Sequence, residues 1–106
     1  MTQKFGLKAD TIKKIISIFI QHPNIKKVIL YGSRAKGNFR PESDIDLTII
    51  GPKMDLTELL QIETELDDLY LPYKIDLSLY HKLEDPNFID HINRVGTIFY
   101  PPDSTE

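Results

Sequence analysis

Asp44 and Asp46 stand two residues apart in Ser43-Asp44-Ile45-Asp46-Leu47, within a stretch where apolar and polar residues alternate. On a strand, alternate side chains share a face, so both carboxylates would project side by side. Like charges this close resist ionising together unless a cation neutralises them. Magnesium suits such a pair, because it prefers oxygen ligands and combines one or two carboxylates with substrate phosphates. An isolated Asp-x-Asp also fits two solvated aspartates at the exposed start of a strand. Asp76 narrows the choice. The segment Tyr73 to Tyr80 alternates again, with Ile75, Leu77 and Leu79 on one face and Lys74, Asp76, Ser78 and Tyr80 on the other. If the two strands are neighbours with their apolar faces turned the same way, Asp76 joins Asp44 and Asp46, and the three suffice for two metal ions. The competing reading is an ion pair between Asp76 and Lys74 or a nearby arginine.

A second element of chemistry is Gly32-Ser33, which follows the apolar run Val28-Ile29-Leu30 and precedes a short helical segment, Ser33 to Lys36. Glycine lets the backbone come close to a ligand, and the start of a helix presents unpaired N–H groups to phosphate oxygens. The Ser33 hydroxyl adds a donor, and Arg34, Lys36 and Arg40 supply cations suited to a triphosphate or a leaving pyrophosphate. A Gly-Ser turn alone is equally an ordinary turn; its place twelve residues before Asp44, with basic residues between, gives it meaning. His22, His81 and His91 lie near expected element ends, have no partner at metal-ligand spacing, and read as structural or surface residues.

These residues need a scaffold. Ile12, Ile15, Ile16, Phe19 and Ile20 recur at the spacing of one helical face, with Asp10 or Thr11 as cap and His22-Pro23-Asn24 as terminator. Val28 to Leu30 reads as a buried strand, Asn38 to Glu42 as a loop, and Asp44 to Ile50 as a strand closed by Gly51-Pro52. From Asp55 a second helix carries Leu56, Leu59, Leu60, Ile62, Leu66 and Leu69 as its apolar set. A helix over Asn87 to Val95, ended by Gly96, and a strand Thr97 to Tyr100 complete the order, with Pro101 to Glu106 as a frayed tail. The expectation is an α/β (α+β) fold: a small mixed β-sheet with helices packed on one side, forming one domain over residues 1–106.

Composition agrees with that scale. The chain has 106 residues, 41% hydrophobic and 27% charged, ordinary for a globular domain. A net charge of -3 with 13 dispersed Lys and Arg gives no electrostatic case for nucleic acid as the main ligand. The lack of cysteine excludes disulfides, zinc-thiolate sites and thiol nucleophiles. With no long apolar run and no signal-peptide core in Met1 to Asp10, a cytoplasmic location away from membranes is expected.

Together, Gly32-Ser33-Arg34-Ala35-Lys36-Gly37 and Ser43-Asp44-Ile45-Asp46-Leu47 resemble the signature of the polymerase β-like nucleotidyltransferase superfamily. Within it, the short length and the form of the motif are similar to the minimal nucleotidyltransferase (MNT) proteins, typically the antitoxins paired with a HEPN-domain toxin. The resemblance spans roughly Ile25 to Tyr80. It implies that Gly32, Ser33 and Arg34 bind the nucleotide, that Asp44 and Asp46 bind two magnesium ions, and that Asp76 completes the metal and catalytic set. The implied reaction is transfer of AMP from ATP to a hydroxyl, most naturally a tyrosine of the HEPN partner. Two alternatives remain at this point: the nucleotide-binding subunit of a small-molecule, antibiotic-type nucleotidyltransferase, and a non-catalytic antitoxin that acts by binding alone.

Overall fold

The computed structural model of the chain describes residues 3–102. The last four positions of the expected tail, 103–106, lie outside the described residues, as do the first two of the chain. The order begins with a small hairpin, β1 (Gln3–Lys4) and β2 (Leu7–Lys8), followed by α1 (Ala9–Ile20). Next come β3 (Lys27–Tyr31), the short helix α2 (Ser33–Lys36), β4 (Ile45–Ile50), α3 (Leu56–Asp67), β5 (Ile75–Leu79), a single 3-10 turn, α4 (Pro86–Val95) and β6 (Thr97–Tyr100).

β3 to β6 form one mixed sheet in the order β5-β4-β3-β6. β3 runs antiparallel to both β4 and β6, whereas β4 and β5 are parallel. A parallel pair needs a crossover, and α3 supplies it. The alternation expected for β4 and β5 is realised: Ile45, Leu47 and Ile49 are fully buried, with Leu77 and Leu79 beside them. Val28 and Leu30 of β3 join the same face, which packs against Ile15, Phe19, Ile62 and Leu66 of α1 and α3. The mixed sheet with helices is thus as expected, and α1 and α3 share one side. α4 departs from that arrangement: Phe88 and His91 pack on the ring of Tyr31, and Gly96 abuts Ile29, both on the face opposite the core.

Several local expectations shift. α1 begins at Ala9 with no side-chain cap, so Asp10 lies in the first turn, where it pairs with Lys14 at 3.3 Å, rather than capping. Its buried face includes Ile18, while Ile20 is 63% exposed, a rotation imposed by the sheet beneath. In α3, Asp55 caps the helix by accepting from the Glu58 backbone N–H at 2.9 Å, but Leu56 and Leu60 of the expected apolar set are exposed. α4 starts one residue earlier than expected, with Pro86 in its first turn and Asp85 accepting from the Asn87 N–H.

The hairpin was not anticipated. Its two-residue connection, Phe5-Gly6, has φ of 61° and 73°, the paired positive angles of a tight hairpin turn. A second unanticipated feature joins α1 to α3. Buried His22, just beyond α1, places Nδ1 2.8 Å from Glu58 Oε2 and Nε2 2.8 Å from Glu65 Oε1. Two carboxylate acceptors require both ring nitrogens to donate, which only the imidazolium can do. Burial alone would lower the His22 pKa; the hydrogen bonds and charges of Glu65 and Glu58 outweigh it, and the pKa is raised.

Candidate active site

The carboxylates gather on the sheet face away from the core. Asp46 on β4 and Asp76 on β5 are direct partners in the parallel register, and Tyr31 on β3 is the partner of Asp46 on its other side. Asp44 precedes β4 by one residue and is exposed; Asp46 is half-buried, and Asp76 is exposed on an edge strand. The Asp46 pKa is raised, first by burial and then by the charges of Asp76 and Asp44, with Arg34 and His91 pulling against them. Asp46 therefore lies within reach of the charges of both other aspartates. Among the described residues no group of three or more His, Asp or Glu side chains is closed into a ready ligand set. Neighbouring carboxylates on one face nevertheless favour a compensating cation. Three hard oxygen donors on one face, short of positive charge, fit magnesium by their chemistry.

Gly32 presses against this cluster. Its φ of 78° and ψ of −157° fall in a region that essentially only glycine occupies, and a Cβ there would collide with Asp46 Oδ2. The turn and the carboxylate are thus packed together in a way that favours glycine at position 32 and strains any larger residue there. Ser33 opens α2, whose single turn is closed by Lys36 N–H to Gly32 O at 3.1 Å and Gly37 N–H to Ser33 O at 2.9 Å. Gly37 ends it in the left-handed conformation, φ 87°. Ser33 is half-buried at the mouth of the turn.

Arg34 does not join them, which corrects the expectation that its guanidinium meets the triphosphate. The side chain is 2% exposed and points into the scaffold. Nη1 donates to Phe5 O at 2.8 Å, Nη2 to Pro41 O at 3.1 Å and Ser43 O at 2.9 Å, and Nε to Ser43 O at 3.2 Å. The rings of Phe39 and Tyr73 flank the guanidinium carbon at 5.2 and 5.0 Å. Arg34 fastens the N-terminal hairpin to the loop leading into Asp44. Its charge still reaches Asp46, but its donors are committed. Lys36, at the end of α2, and Arg40, on that loop, are exposed.

Two residues reach the site without having been anticipated. Tyr31 is 6% exposed, and its pKa is pushed up to about 12 by burial and then by Asp76 and Asp46, so the phenol stays neutral. His91 lies edge-on to the Tyr31 ring, with centroids 6.2 Å apart and planes at 88°, beside Phe88 at 5.3 Å. The reading of His91 as an element-end residue is corrected: α4 carries it over the carboxylate face. The clue in the sequence was Phe88 and His91 three apart on one helical face, but nothing told which side of the sheet that face would meet.

The family described as Polymerase beta, Nucleotidyltransferase matches residues 13–105. A Methanocaldococcus jannaschii protein provisionally named protein adenylyltransferase MJ0141 is 33% identical over 87 residues, covering 79% of this chain and 87% of that protein. Among solved structures, a toxin-antitoxin with AMP-PNP shares the fold at a TM-score of 0.68, 18% identity, 89% of this chain and 76% of that one. A chain in the complex of tri-AMPylated Shewanella oneidensis HEPN toxin with MNT antitoxin superposes at 0.63, 16% identity, 87% of this chain and 71% of that one. This chain belongs to the polymerase β-like nucleotidyltransferase family. Among the described residues no helix is long and apolar enough to cross a membrane.

Proposed function

We propose that this chain is a metal-dependent protein adenylyltransferase that moves AMP from ATP to a hydroxyl of a protein partner, most naturally a tyrosine of a HEPN-type toxin that it thereby neutralises. The observation that carries the reading is the register pairing of Asp46 with Asp76 on an open sheet face, with Gly32 pressed against Asp46. Asp44, Asp46 and Asp76 would hold magnesium, which, when bound, offsets phosphate charge and acidifies the attacking hydroxyl. The turn at Gly32 and Ser33 takes the triphosphate by backbone N–H groups and the serine hydroxyl. Asp76, exposed on edge strand β5, faces the side from which an acceptor arrives and accepts the hydroxyl proton. The hydroxyl oxygen then bonds to the α-phosphorus as the bond to pyrophosphate breaks, and Lys36 and Arg40 neutralise the departing anion.

A protein acceptor suits the open edge at β5, where a protruding tyrosine can approach without a pocket around it. The adenylyltransferase name of the Methanocaldococcus jannaschii relative supports transfer to protein, and the toxin-antitoxin neighbours, one with AMP-PNP and one with a tri-AMPylated HEPN toxin, support the HEPN class and ATP as donor. An added AMP places a bulky anion on the toxin, enough to block a nearby catalytic group by charge and size. The test is intact-mass analysis of a HEPN partner co-expressed with wild type or with Asp44→Asn. A gain of one or more AMP units only with wild type is expected. Full neutralisation by the variant, with no added mass, would replace catalysis by binding alone. In parallel, Ser33→Ala should weaken nucleotide binding by about 1 to 3 kcal/mol in calorimetry, the cost of a hydrogen bond to a charged group.

A further inference from the structure

A nucleoside triphosphate brought to this face meets three carboxylates, so it needs donors and cations from the protein around it. Arg34, the nearest guanidinium in sequence to the turn, has all its nitrogens committed to carbonyls of Phe5, Pro41 and Ser43. Lys36 and Arg40 stand on the loop side. From α4, the fold delivers His91 beside Tyr31, the residue that precedes the turn.

Its placement is specific. Tyr31, the residue immediately before Gly32, carries the His91 ring edge-on at 6.2 Å, and Phe88 holds the same phenol ring at 5.3 Å. His91 is therefore seated on the residue that leads into the turn, and it remains half-buried. His22 spends both ring nitrogens on carboxylates; His91 enters none of the side-chain hydrogen bonds or ion pairs among the described residues. No buried polar side-chain atom among them lacks a partner, so the free His91 nitrogens open to solvent. An imidazole oriented by the aromatic residue next to the turn, with unused nitrogens open to solvent, is able to donate to a ligand held there.

We propose that His91 is a nucleotide-contacting residue that donates a hydrogen bond to the triphosphate chain held at Gly32-Ser33. The proposal rests on the nucleotidyltransferase reading above and adds a phosphate contact from α4. It makes α4 part of the nucleotide site rather than a cover for the sheet.

The test is calorimetric binding of AMP-PNP, inorganic tripolyphosphate and adenosine, each with magnesium, to wild type, His91→Ala, His91→Gln and His91→Asn of the full chain. AMP-PNP and tripolyphosphate should each bind about tenfold more weakly to His91→Ala, with adenosine unchanged. One of the two amide variants, which place a donor near one ring nitrogen or the other, should recover most of that loss. With partner present, the KM for ATP should rise while kcat at saturating ATP holds. A packing role alone would lower the melting temperature without separating tripolyphosphate from adenosine, and that result would overturn the proposal. So would wild-type affinity for both phosphates in His91→Ala, which leaves the function proposed above standing. Absence of AMP-PNP binding by wild type would overturn both.

Discussion

Asp46→Asn should make the metal-free protein more stable while it abolishes transfer. Asp46 and Asp76 are register partners on adjacent strands, and neighbouring strands lie about 4.8 Å apart. Two unit charges at about 5 Å repel by roughly 3 kcal/mol at an effective dielectric of 20 and by roughly 0.8 in bulk water. Asp76 is exposed, so solvent screening brings the value toward the lower end, about 1 kcal/mol. Asparagine keeps the shape and removes the charge, so for a domain of this size the melting temperature should rise by about 4 to 6 °C. The sign with pH follows from the raised Asp46 pKa, whose first cause is burial and whose next are Asp76 and Asp44. The folded state holds the Asp46 proton more tightly than the unfolded chain, so this contribution favours folding at low pH and is lost as pH rises through the raised value. Wild type and variant should therefore converge below the ordinary carboxylate value of 3.8 and separate at neutral pH. The assay is thermal denaturation in EDTA at pH 3.5 and 7, repeated at pH 7 with magnesium, where wild type alone should gain stability. A variant that melts at or below wild type in EDTA at pH 7 would refute the repulsive cluster.

Gly32→Ala should cost about 2 to 3 kcal/mol in urea denaturation, because the backbone lies in a glycine-only region and the new methyl meets Asp46; wild-type stability would disprove the close approach. Arg34→Lys keeps the charge but not the fork of donors, and should lose about 2 to 4 kcal/mol of stability. Weaker nucleotide binding at unchanged stability would instead return Arg34 to the phosphate site. The His22 cluster should give a pH-dependent difference between wild type and His22→Ala, about 3 kcal/mol near pH 6. The raised His22 pKa makes its contribution full below 6.5 and lost as pH rises through the higher folded value; the lowered Glu58 pKa, set chiefly by the bonds from His22 and Asn24, makes its part present above 4.5 and lost as pH falls. A difference that stays constant from pH 5 to 9 would contradict this.

The strands carrying the aspartates were legible because alternation is a local signal that burial enforces: a one-residue slip would turn Ile45, Leu47 and Ile49 to solvent. The nearness of Asp46 to Asp76 was legible only conditionally, since the strand order that makes them neighbours is a tertiary fact. The β1–β2 hairpin was invisible because strands of two residues have no period to detect. Ile18 and Ile20 exchanged places, and Leu56 and Leu60 came to the surface, because helical spacing fixes a stripe but not the angle at which the sheet receives it. Arg34 misled for a related reason. Its position in the motif suggested a ligand, while the carbonyls that occupy it come from Phe5, far back in the chain, and from a loop whose shape no pattern encodes. His91 needed the path of α4 across the site face.

The seating of Arg34 also has a consequence for how the molecule breathes. The loop from Asn38 to Asp44 has almost no regular backbone pairing to protect it; its closure depends chiefly on one guanidinium that is simultaneously bonded to the hairpin turn at Phe5. The Phe39 ring of the loop also lies against Gly6 of the hairpin turn, and segments tied in this way open together at a free energy below that of global unfolding. The start of the chain and the loop that delivers Asp44 therefore form one opening unit, though more than thirty positions separate them in sequence. Their exchange with solvent deuterium should rise and fall together.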